Sequence, residues 1–253
     1  MRKFTGKIVA LASRSCRLAE LCRTISHHHA GENVFDFAAN GEAQFLNTTV
    51  PHAKLIFDVG ANSGHWIQLA LAANPHLRIH AFEPCRQTFA QLAARRFPAN
   101  VTLNNVGCGA HAGSAMLHYG GSSPGFYSVV HRAGVASGEV EGIRLITLDD
   151  YCDQFGITDI DLVKVDVEGY ELEVVKGMTR LLSEGRVRAV QFEYGATYID
   201  AGIFLKNVWE FVLSCNPDYQ FSKLHARGLI PLSGYSPNLE NFAYANYVAQ
   251  VPW

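Results

Sequence analysis

From residue 54 onward the sequence alternates between short apolar runs and longer amphipathic stretches, and that alternation leaves few architectures open. Residues 55–59, 78–82, 101–105, 162–167 and 189–193 read as strands, with helices over 66–73, 86–96 and 172–182 between them. Strands separated by helices are joined by crossover connections, which make neighbouring strands parallel and cover the sheet on both faces. A mainly parallel α/β sheet in a single domain, residues 51–253, is therefore expected. Residues 114–146 break the alternation with a cluster of Gly120, Gly121, Ser122, Ser123 and Gly125 and β-type runs at 127–130 and 143–146. They read as a hairpin-bearing insertion beside the functional site. The tail, residues 219–251, carries Tyr244, Tyr247 and Val248 and suits antiparallel edge strands that complete the sheet.

Residues 1–50 read as a helical N-terminal extension. Phe4, Ile8, Leu11, Leu18, Leu21 and Ile25 recur at helical spacings and predict an amphipathic helix over residues 4–25. Its other face carries Lys7, Arg14, Arg17 and Arg23 against the single acid Glu20. Such a helix packs on the domain or on a second subunit as a homo-oligomer contact, or lies on an anionic membrane surface. His27, His28 and His29 are read as a solvated turn, because consecutive side chains cannot converge on one ion. A second helix is expected over residues 33–47, ending before Pro51.

The formal net charge of −2 supplies no broad phosphate-neutralising surface, which argues against a nucleic-acid partner. The six cysteines are scattered, with no Cys-x-x-Cys pair, and are read as reduced thiols of a cytoplasmic protein. The apolar run at residues 8–12 is too short for a secretory signal, and no stretch approaches the ~20 apolar residues that an integral membrane segment needs.

Three blocks carry chemistry. In Ile56-Phe57-Asp58-Val59-Gly60-Ala61-Asn62-Ser63-Gly64-His65-Trp66 a strand enters a glycine turn and a helix follows. Glycines there let the turn close and let backbone approach a ligand. Their Gly-x-x-x-Gly spacing departs from the closely spaced triplet of dinucleotide binders, which argues against a nicotinamide-dependent oxidoreductase. Ala81-Phe82-Glu83-Pro84 then places an acid at a strand end, roughly twenty residues on, where it can accept hydrogen bonds from both hydroxyls of a ribose. The alternative for Glu83 is an acid at the start of a helix, held by the helix dipole. The block running from Asp161 to Glu171 delivers Asp166 and Glu168 to the carboxyl end of a buried strand, the edge at which open α/β sheets bind ligands. The alternative for these two is acids held by backbone donors for structure alone.

Together these blocks resemble the FkbM family of S-adenosylmethionine-dependent methyltransferases. The resemblance runs from about residue 40 to 195 and includes Asn40-Gly41-Glu42, Asn105-Val106-Gly107 and Gln191-Phe192-Glu193-Tyr194. It implies a Rossmann-like class I methyltransferase fold, a mostly parallel seven-stranded sheet with helices on both faces. It also implies S-adenosylmethionine as cofactor and methylation of a hydroxyl oxygen on a sugar, polyketide or other small molecule or glycan. Carried over residue by residue, Asp58, Gly60, Asn62 and Gly64 would line the methionine end of the cofactor and Glu83 would hold its ribose. Asn105, Val106 and Gly107 would flank its adenine, Glu42 and Asp166 join the cofactor-binding set, and His65 is given only a helix-start role. Alternation along an extended strand would put Asp166 and Glu168 on one side. One of them, Glu168 ahead, is expected to accept the acceptor's proton, directly or through His118 or His131. No metal site is predicted, although a divalent cation on Asp166 and Glu193 is an alternative way of acidifying the hydroxyl. Residues 120–130, with Phe126 and Tyr127, are expected to form a flap over the acceptor. A fold that binds the cofactor without catalysis is the alternative from another class.

Overall fold

The computed structural model describes residues 15–120, 127–131 and 137–252. Ahead of the sheet lie helices α1 (Cys16–His29) and α2 (Glu42–Thr49). The first half of the sheet follows as β1 (Leu55–Val59), α3 (His65–Ala73), β2 (Arg78–Phe82), α4 (Arg86–Ala94) and β3 (Val101–Asn104). Next come the short strands β4 (Gly107–Cys108), β5 (Gly113–Gly120), β6 (Tyr127–Ser128) and β7 (Ser137–Ile146), then α5 (Leu148–Phe155) and β8 (Leu162–Val165). The chain continues through α6 (Glu171–Lys176), α7 (Thr179–Ser183), β9 (Ala189–Tyr194), α8 (Thr197–Ala201) and α9 (Leu205–Cys215). It ends in β10 (Gln220–His225), β11 (Gly228–Pro231) and β12 (Ala245–Gln250).

The main sheet has the order β11-β10-β12-β9-β8-β1-β2-β3, with β9 to β3 parallel and β12 antiparallel to β9. It has eight strands where seven were expected, because β11 pairs with β10 as a hairpin at the antiparallel edge. β12 lies inside that edge, between β9 and β10. All five residues of β1 are buried, and their side chains alternate between two apolar clusters. Phe57 and Val59 join Val163 and Val165 on one face, while Ile56 meets Ile67 and Leu162 on the other. From β1 the chain builds outward through β2 and β3, then returns to lay β8 on the other side. The gap between β1 and β8 is thus the switch point at which such sheets bind ligands.

The expected insertion is a separate four-stranded sheet, β4-β7-β5-β6. Residues 121–126 lie outside the described residues, and with them most of the proposed flap. Several expected boundaries move. α1 continues to His29, so the three histidines form its last turn rather than a solvated turn. Its expected beginning, before residue 15, lies outside the described residues. Within the described part Leu21 and Ile25 are exposed. The second helix begins only at Glu42: Asn33 and Gly41 have φ of 54° and 98°, and a Cβ on Gly41 would lie 2.4 Å from the carbonyl of His225. The helix expected over 172–182 is two, parted at Gly177, where a Cβ would lie 2.2 Å from the Gly109 carbonyl. Among the described residues no helix is long and apolar enough to cross a membrane.

The most consequential shift is at β8. The expected strand to residue 167 stops at Val165, and beyond it Glu168 and Gly169 take φ of 58° and 99°. Asp166 and Glu168 therefore do not alternate along an extended strand. They are brought together by a tight left-handed turn.

Candidate active site

Val59 is level with Phe82 and with Val165 in the ladders, so Gly60, Glu83 and Asp166 leave the sheet side by side. Gly60, at φ 85°, has no room for a side chain: a Cβ would sit 1.8 Å from the carbonyl oxygen of Asp166. That glycine is required by the neighbouring strand's backbone as much as by any ligand. Gly60 and Ala61 both donate to the Phe82 carbonyl, each at 3.0 Å, and fix the turn.

Glu83 is 6% exposed. One of its oxygens accepts from the Asn62 amide and the other from the Cys85 amide, both at 2.9 Å. Burial nevertheless pushes its carboxyl up to about 7, against the two amide bonds. Each oxygen keeps a lone pair for a further donor. Asp58 is fully buried behind the turn, and neither of its oxygens has a hydrogen-bond partner. Burial raises it to about 6, offset in part by the Lys164 ammonium 3.7 Å away. Lys164 also donates to Asp166 at 2.9 Å.

The turn after β8 is braced by Glu171, which accepts from the amides of Val167 and Gly169 at 3.1 and 3.2 Å. Burial lifts Glu171 to about 8 and pushes Glu193, beside Asp166 and Glu168, well above the usual carboxylate range. From above, the Ser128 hydroxyl donates to the Glu168 carbonyl at 2.7 Å and ties the second sheet to the same turn.

These elements enclose an open cleft of about 840 Å³, its mouth included. The floor is Gly60, Asn62, Glu83, Asp166, Glu168 and Glu193, and the apolar end is Phe82, Pro84, Val106, Gly107, Leu117, Ile143 and Leu145. Of the residues singled out in the sequence, Gly60, Asn62, Glu83, Val106, Gly107, Asp166 and Glu168 share this cleft. Four others stand behind it. Besides Asp58, Gly64 caps α3 at φ 80°, where a Cβ would strike Leu92 and Phe97. Asn105 turns its amide to the carbonyls of Glu83 and Pro84. Glu42 lies in a buried network with Asn40, Gln191 and Asn246. His65 opens α3. His118 and His131 meet edge to face with ring centroids 5.3 Å apart, and neither lines the cleft. Among the described residues no group of three or more His, Cys, Asp or Glu is placed to hold a metal ion. Lys164, Glu171 and the apolar roof escaped the sequence reading. Only a lysine in the middle of a buried strand pointed to the first.

The charges lead to a prediction for the protein without ligand. Asp58, Glu83 and Glu171 bind protons more tightly when folded than when unfolded. Their contribution is complete below the ordinary carboxylate range and is lost as pH rises through about 6, 7 and 8. Thermal denaturation should show a Tm that falls by several degrees from pH 5.5 to 8.5. A Tm that rises across this range would contradict the burial of these acids.

The methyltransferase FkbM domain model matches residues 58–221. The hexuronic acid methyltransferase AglP of Haloferax volcanii is 29% identical over 191 residues, covering 73% of each chain. The methyltransferase sdnD of Sordaria araneosa is 29% identical over 161 residues, 51% of this chain and 62% of that protein. Among solved structures, the O-methyltransferase TomG of Streptomyces achromogenes superposes with a TM-score of 0.47 at 13% identity, covering 83% of this chain and 80% of that one.

Proposed function

Because the chain belongs to the FkbM methyltransferase family, we propose that it moves a methyl group from S-adenosylmethionine to a hydroxyl oxygen of a small molecule or glycan. The observation that carries this reading is the acid-floored, apolar-ended cleft at the switch point. Its fit to the cofactor rests on two features. Asp166 and Glu193 line the cleft and Asp58, with two buried oxygens without hydrogen-bond donors, adds its charge from behind, which suits a cationic ligand; Glu83 is braced with lone pairs free for the two hydroxyls of a ribose. The slot between Val106 and the second sheet's Leu117, Ile143 and Leu145 suits a flat apolar ring. When bound, S-adenosylmethionine supplies a methyl group made electrophilic by its sulfonium charge.

The chain's own residues then have two tasks. The acids bind the cation and prefer it to the neutral product left after transfer. Because that charge fades as the methyl moves, they favour binding and product release rather than the transition state. Aligning the acceptor and taking its proton falls to groups at the floor, and Glu168 is assigned that proton. A hydroxyl acceptor is proposed because the family resemblance implies it. Because the Haloferax volcanii relative is a hexuronic acid methyltransferase, hexuronic acids and the sugars of hexuronate-containing glycans are the first acceptors to try.

Isothermal titration with S-adenosylmethionine and with NAD, followed by methyl-transfer assays on a panel of hydroxylated acceptors, tests the reading. Binding of S-adenosylmethionine alone, with transfer to a hydroxyl, is expected. Binding of NAD alone refutes it, and cofactor binding without transfer to any acceptor favours a non-catalytic module. Glu83→Gln should weaken cofactor binding about 10- to 100-fold, since a charge-assisted hydrogen bond contributes about 1.5–3 kcal/mol. Affinity within twofold of wild type would remove Glu83 from the site.

A further inference from the structure

Lys164 stands beneath the cleft, bonded to Asp166 of its floor, and the proposed chemistry does not use it. It is 6% exposed, on a strand whose four residues are all buried. An ammonium there is costly unless it is paired. Acids face it from every neighbouring element: Asp58 from β1 at 3.7 Å, Asp166 from the end of β8 at 2.9 Å, Glu42 from α2 and Glu193 from β9. One cation thus stands among four carboxyl groups, two of which, Asp166 and Glu193, open into the cleft.

Resting on the reading of this cleft as an S-adenosylmethionine site, we propose that Lys164 is a positioning residue. Its ammonium fixes the Asp166 carboxylate at the cleft and keeps the fully buried Asp58 ionised behind it, so that both charges favour a cationic ligand. Without that ammonium, Asp58 in its buried space would take up a proton and lose its attraction for the ligand, and Asp166 would lose its tether. With it, the cluster keeps an excess of negative charge that a bound cation completes. Lys164 holds the Asp166 carboxylate directly, from below. Burial raises the Asp58 carboxyl, and the Lys164 ammonium offsets part of that rise.

The test is titration of wild type and Lys164→Met with S-adenosylmethionine from pH 6 to 9, read as the ratio of the two Kd values. That ratio cancels the titration of the ligand's own amine. It is expected to be tenfold or more at pH 7 and to fall within threefold at pH 9, where Asp58 ionises unaided. A ratio that stays the same at every pH means a merely structural lysine and overturns the proposal. Should the single variant not fold, Lys164→Gln keeps a donor for Asp166 and Asp58 in place while removing the charge, and the same fall of the ratio with pH is expected. A second arm needs no ligand: the gap in urea midpoint between wild type and the folded variant should widen from pH 5 to 8. A constant gap also overturns the proposal, whereas failure of wild type to bind S-adenosylmethionine at any pH counts against the cofactor reading.

Discussion

Glu168→Gln is expected to lower the turnover number of methyl transfer ~10²- to 10⁴-fold, the usual worth of a positioned base, while cofactor affinity stays within about threefold. An alcohol is scarcely ionised at neutral pH, so alignment alone leaves the proton unassigned. Two acids share the cleft near the turn after β8. Asp166 is tethered by the Lys164 ammonium at 2.9 Å, and Glu168 lines the same cleft as the acid to which the proton is assigned. Its backbone adds a second readout. A non-glycine residue at φ 58° is costly to hold, by about 1 kcal/mol or more. Glu168→Gly should therefore abolish turnover while leaving the denaturation midpoint unchanged or slightly raised. Full activity in Glu168→Gln would remove the base from the mechanism. Loss of wild-type activity with a chelator, restored by magnesium, would instead favour a cation on Asp166 and Glu193.

The second large effect is on folding. Gly60→Ala should cost several kcal/mol, about 3 or more, at the upper end of single substitutions. The added carbon would lie 1.8 Å from a backbone oxygen and at a φ of 85°, so β1 and β8 would have to part at the switch point. Gly113→Ala is the control, because a Cβ there meets nothing within 4 Å. Its urea midpoint should stay close to wild type while that of Gly60→Ala falls sharply or the protein is recovered only in the insoluble fraction. A soluble Gly60→Ala with a wild-type midpoint would mean that Asp166 does not pack against the turn.

How far the sequence could be read follows from the range of the forces involved. β1 and β2 were legible to the residue, because a short run dominated by apolar residues and bounded by turn signals is a local signal. β8 was overextended because Val165 and Val167 continue the apolar alternation, and nothing local says that Glu168 turns left-handed. That turn is fixed by Glu171 from α6 and by Ser128 from the second sheet. The segment 33–41 was misread for a similar reason, since its course is set by contact with His225, about 190 positions away. Seven of the residues expected in the site do line one cleft. Asp58, Gly64, Asn105 and Glu42 were recognised as important but stand one layer back, a distinction that needs three dimensions. Lys164 and Glu171 went unnoticed because their partners are assembled from β1, α2 and the turn itself.

The second sheet brings its own small apolar cluster, Cys85, Leu117, Ile143 and Leu145, separate from the two that hold the main sheet. Floor and roof of the cleft therefore draw on different cores. Substitutions at Leu117 or Ile143 can reshape the ceiling over a bound ring without loosening the strands that carry the acids. A lineage of such enzymes can thus explore new substrates by redrafting one wing of the molecule while the chemistry below is inherited intact. An engineer seeking altered selectivity would randomise that wing first.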